Sequence, residues 1–119
     1  MRSLFAGLAM ILICGAASAL TPPTSYLTES QAAMDKMMKD MAVKPSGDVD
    51  ADFAAMMIPH HQGAIDMAVA ELRHGRNLQL RRIAQEIIVE QQQEIAAMKL
   101  ALGQKLPPSS PAPTMAGMH

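Results

Sequence analysis

From Leu78 to Leu102 apolar side chains recur with the period of an α-helix: Leu80, Ile83, Ala84, Ile87, Ile88, Ile95, Met98 and Leu102 fall along one face, with Arg81, Arg82, Gln85 and Gln92 opposite. Asn77 is a suitable N-cap and Gly103 a suitable C-cap. A helix with one apolar stripe must bury it against a partner, and no run in the chain has strand periodicity to provide a sheet. The partner is therefore another helix.

Two more helices are punctuated by the chain itself. Leu20 to Leu27, containing Pro22-Pro23, reads as an extended lead-in. Thr28 and Gln31 form a capping box for a first helix from Glu29 to Ala42, ended by Lys44-Pro45-Ser46-Gly47. Asp48, Asp50 and Asp52 offer N-caps and favourable charge for a second helix from Ala51 to Arg73, and His74-Gly75-Arg76-Asn77 is the turn into the third. So short a turn makes the last two helices antiparallel neighbours. Pairing about its centre sets His60 near Gln91, Met57 near Glu94 and Phe53 near Met98, within one turn of about 5.4 Å. The expected fold is all-α: an antiparallel helical hairpin plus an N-terminal Met-rich helix, forming a helical domain over residues 28–106 with a Pro-rich disordered tail over 107–119.

The first nineteen residues read as a secretory signal peptide. Arg2 precedes an apolar run from Leu4 to Ala17, and Ala17-Ser18-Ala19 is an Ala-x-Ala site, so cleavage is expected after Ala19. The run is short of the ~20 residues a membrane span needs. Cys14 lies within it, but Ile13 is a poor fit to a lipoprotein signal. Cleavage leaves 119 − 19 = 100 residues, one small periplasmic or secreted domain. The single cysteine departs with the leader, so no thiolate or disulfide remains. A net charge of −1 with mixed signs offers no basic face for nucleic acid.

Methionine is the anomaly. Of 12 in the chain, Met1 and Met10 leave with the leader and ten remain, while Tyr26 and Phe53 are the only aromatics beyond Ala19. Met34, Met37, Met38 and Met41 stand at i, i+3, i+4 and i+7 on one face of the first helix. Thioether stripes are commonly packing. Here the third helix fills its core positions with Leu and Ile, so ligand and core remain alternative readings of the first. Met34 and Met41 are about 10.5 Å apart in rise, too far to share one ion.

Met56-Met57-Ile58-Pro59-His60-His61, continued by Met67, is more specific. Met56 with His60 and Met57 with His61 are i, i+4 pairs, and Met57 with His60 is i, i+3. Thioether sulfur prefers Cu(I) or Ag(I), and imidazole also accepts Cu(II) or Zn(II), whereas Ca(II) and Mg(II) want oxygen cages. Adjacent histidines are about 100° apart on a regular helix and do not both face one ion. Pro59 breaks that regularity: either it bends the helix, losing the bond to the carbonyl of Ala55, or it is the first residue of a shorter helix. Gln91 and Glu94 lie on the otherwise apolar face of the third helix, and either accept the far imidazole N–H and fix its tautomer or lie at the solvent edge. Glu71 and His74 read as capping or solvated groups. Met115, Met118 and His119 form a further candidate ligand set, or simply a disordered end.

Met56 to Ala68, then Leu80, Ala84, Ile87-Ile88, Gln91, Glu94-Ile95 and Met98, resemble a family of exported helical proteins of the CopM type, long labelled a domain of unknown function (the domain-of-unknown-function 305 family). The resemblance implies a ferritin-like helical bundle in the periplasm that binds copper, sometimes silver, and supports metal tolerance. Carried over position by position, it marks Met56, Met57, His60, His61, Met67 and Met98 as metal ligands. The chain looks like a short form with one copy of the motif, and its three helices are expected to stand alone or pair as a homodimer.

The function expected from these readings is copper binding, Cu(I) preferred with Cu(II) or Ag(I) as further cargo, for sequestration, transfer or tolerance. The expected partners are the ion and another periplasmic copper protein, with no nucleic acid and no membrane after cleavage. No thiol, Ser-His-Asp pattern or Glu-x-x-His motif suggests an enzyme. A Met-rich helical interaction module and a copper redox protein are the alternatives.

Overall fold

Asp48 accepts hydrogen bonds from the backbone N–H groups of Asp50 and Ala51 and thereby starts the longest helix among the described residues. The computed structural model describes residues 24–108 and 111, and these form three helices and no strand: α1 (Thr24–Met41), α2 (Val49–His74) and α3 (Leu78–Ala101). The expected signal peptide and the Met115, Met118 and His119 set lie outside the described residues. No helix among the described residues is long and apolar enough to cross a membrane.

α2 is the middle helix, and both α1 and α3 pack against it. The α2–α3 seam holds the core: Ile65, Ala68 and Leu72 meet Ala84 and Ile88, with Val69, Ile87 and Ile95 packed around them. Among the described residues Leu72 and Ile88 are the large side chains that are completely buried. The α1–α2 seam is held differently. Gly63 lacks a side chain where Met37 crosses, and a Cβ there would stand 2.6 Å from the Met37 sulfur. At the far end Glu29 receives Arg73 at 2.6 Å and His74 at 3.0 Å.

Several expectations are corrected. α1 begins at Thr24, so residues 24–27 are helical and Thr28 lies within the helix instead of capping it. A proline pair bars helix on its N-terminal side, but a helix is free to start directly after it. α2 runs unbroken through Pro59, which excludes the shorter-helix reading. Of the stripe on α3, Leu80 and Ile83 are exposed, because the seam with α2 is narrower than the apolar face. Asn77 caps α3 as expected, and Gly103 follows its C-cap Leu102 with φ 70°, the left-handed conformation glycine adopts freely. Beyond it Leu106, Pro107 and Pro108 join Val89, Gln92, Ile95, Ala96 and Lys99 around a cleft of about 420 Å³, so the start of the Pro-rich segment lies against α3.

Candidate metal centre

The Met-Met-Ile-Pro-His-His stretch lies wholly within α2, and the helix divides it between two sides. With Gly63 as the reference direction toward α1, an advance of about 100° per residue puts Met56 and Met67 within about 40°, His60 at about 60°, and Met57 and His61 at about 120° and 160°. Phe53, Met57 and His61 accordingly line a shallow cleft of about 350 Å³ with Glu94, Ala97 and Met98 of α3. The pairing expected for Phe53, Met57, Glu94 and Met98 is thus present. The histidine is not the expected one: His61 is buried and meets Glu94, whereas His60 is exposed.

His61 uses both ring nitrogens. Nδ1 lies 2.8 Å from the Met57 carbonyl oxygen and Nε2 lies 2.5 Å from Glu94 Oε2. A carbonyl only accepts, so Nδ1 donates to Met57, and Nε2 shares a hydrogen with the Glu94 carboxyl. In this arrangement no imidazole lone pair is left for an ion. To ligate, His61 must release either Glu94 at Nε2 or the Met57 carbonyl at Nδ1. Glu94 thus meets an imidazole, but that of His61 and not of His60; Gln91 is half-buried on the same helix. The two histidine rings stand edge to face, centroids 5.9 Å apart.

The α1 side is open. From Met37, which faces α2, the same arithmetic places Met41 about 40°, Met34 about 60° and Met38 about 100° round the helix. Since α1 and α2 are antiparallel, equal senses of rotation point to the same side. Met34, Met38 and Met41 thus border the side on which α2 presents Met56, His60 and Met67. The other side is charged: Glu29, Lys36, Asp66 and Arg73 surround a separate cleft. Met37 opposite Gly63 also sets the axial level, bringing Met41 level with Pro59 and His60 and Met34 level with Asp66 and Met67. Met34, Met38 and Met56 are exposed, Met37, Met41, Met57, Met67 and Met98 half-buried.

Met37 is therefore packing at its contact with Gly63, while its neighbours remain accessible. Gly63 and the Glu29–Arg73–His74 cluster were not anticipated. A glycine inside a helix is a signal of close approach, and it was available in the sequence; the ion pairs span 44 and 45 positions and needed the α1–α2 register. His74 also meets the Tyr26 ring edge to face at 6.4 Å. Hydrogen bonds from His74 first, with the Arg73 charge beside them, hold the Glu29 carboxyl below the ordinary carboxylate range. Among the described residues no three His, Cys, Asp or Glu side chains converge, so an ion held here would have to draw on thioether sulfur.

A family model described as "Domain of unknown function (DUF305)" matches residues 17–102, and the chain belongs to that family. No curated protein matches it.

Proposed function

We propose that this DUF305 chain is an exported copper-binding protein of the CopM type, holding Cu(I), with Ag(I) or Cu(II) as further cargo, for sequestration, transfer or tolerance. The leader is removed after Ala19 and the mature protein acts in the periplasm, delivering to or receiving from another copper protein. It carries out no turnover. The observation that supports this reading is the groove in which Met34, Met38 and Met41 of α1 share a side with Met56, His60 and Met67 of α2. Soft sulfur donors with one imidazole suit Cu(I), and their exposure permits an ion to be taken up and handed on.

Two levels of donors follow from the spacing. Met41, Met56 and His60 lie toward one end, Met34 and Met67 about two turns away, and Met38 between them. Met57, Met98 and His61 form a reserve set on the α3 side, engaged only when His61 releases Glu94 or the Met57 carbonyl. A ferritin-like four-helix bundle would need helices beyond the three of the described residues.

Titration of the protein with Cu(I) against a competing chelator tests the reading. His60→Ala, Met56→Leu and the triple change of Met34, Met38 and Met41 to Leu are each expected to weaken binding by about tenfold or more, equivalent to about 1.4 kcal/mol. His61→Ala is expected to bind nearly as wild type. Equal affinity in all the groove variants overturns the proposal.

A further inference from the structure

The three helices form one layer, and the layer has two unlike faces. Gly63 of α2 faces α1, while His61, Ala68 and Leu72 face α3 about 140–180° away, so α1 and α3 flank α2 on nearly opposite sides. Charge gathers on one face of this layer, where Glu29, Lys36, Asp66 and Arg73 surround their cleft. The other face carries Met34, Met38, Phe53, Met56, Leu80 and Ile83, all of them exposed: Met38 to 62%, Phe53 to 59% and Ile83 to 50%. Helical rotation from Met37, Gly63 and Ile88 brings all six to the same side. Glu94, which borders this face, is already joined to His61.

We propose that two copies of this chain associate face to face through this apolar side, closing the thioether groove between them. A single helical layer leaves one apolar face unburied, and stable domains cover such a face with a second layer. Helices of 18, 26 and 24 residues, about 9 Å wide each, present about 900 Å² per copy. Two copies bury about 1,800 Å², within the range of specific interfaces. Glu71, half-buried, also falls on this side near one end of the layer, and a two-fold axis through the middle of the layer keeps the two copies of it apart. A second copy is thus an occupant of matching size and chemistry, and it supplies a second set of methionines to a groove that one copy leaves open. The pairing does not depend on copper.

Sedimentation equilibrium of the full chain across a micromolar concentration series, with chelator present throughout, tests it. The wild type is expected at twice the chain mass. Met38→Glu, Phe53→Glu and Ile83→Glu are each expected to shift it toward the monomer by at least tenfold in dissociation constant, while Gln93→Glu, away from the face, leaves it unchanged. All four positions are exposed in one copy, and circular dichroism at 222 nm confirms that each variant folds. A wild type that stays monomeric at every concentration overturns the proposal, whether its face then proves to be covered by the segment beyond Leu106 or to adsorb to lipid vesicles. Dimers untouched by the three substitutions overturn it equally.

Discussion

His61 is tied to Glu94 across the α2–α3 seam by a 2.5 Å contact, and its second ring nitrogen is held by the carbonyl of Met57 one turn back. The imidazole is buried while the carboxylate side chain is half-exposed, so the bond is worth less than a buried charged one. Glu94→Ala is expected to lower stability by about 1 kcal/mol in urea unfolding. Since it also frees His61, it is expected to raise Cu(I) stoichiometry without weakening the first ion; a loss of the first ion would place His61 and Glu94 at the centre of the site instead.

Gly63→Ala is expected to destabilise the protein. Its Cβ would meet the Met37 sulfur at 2.6 Å and the Met37 Cβ and Cγ at 2.9 Å, and Cβ cannot swing away as a side-chain tip can. The overpacking costs about 1–3 kcal/mol against a gain in helix propensity of about 1. A fall in melting temperature of several degrees is expected, reversed by combining it with Met37→Ala.

The helical architecture, a cap among Asp48, Asp50 and Asp52, the cap at Asn77 and the antiparallel hairpin were legible because periodicity and capping are local. The pairing of Met57 with Glu94 followed from turn length alone. The histidine partner did not: one residue along a helix is a rotation of about 100°, so a register good to one turn does not decide between His60 and His61. Nor did position in the stripe separate Met37, which packs on Gly63, from exposed Met38, because the direction of α2 as seen from α1 is set by residues far apart in sequence.

Stability is expected to fall at acid pH. Glu29, held by His74 and Arg73, lies below the ordinary carboxylate value of 4.5, and hydrogen bonds from Ser46 lower Asp52 likewise from 3.8. A carboxyl with a depressed folded value stabilises the protein above its unfolded value and loses that contribution as pH falls through the folded one. Melting temperatures should therefore be level down to about pH 5 and decline below it, and Glu29→Gln should flatten the decline.

Pro59→Ala is expected to stabilise α2. The helix already runs through this position, so alanine restores the bond to the Ala55 carbonyl without a change of path. The gain is at most about 3 kcal/mol, reduced by up to about 1 for the greater freedom of the unfolded chain. Thermal unfolding followed at 222 nm reads it.

X-ray absorption at the copper edge of the Cu(I)-loaded protein addresses the central claim most directly. Thioether coordination from the groove gives a shell dominated by sulfur with no more than one nitrogen, and His60→Ala removes that nitrogen while His61→Ala does not. A shell of nitrogen and oxygen alone, or one in which His61→Ala removes the nitrogen and His60→Ala leaves it, would contradict the account.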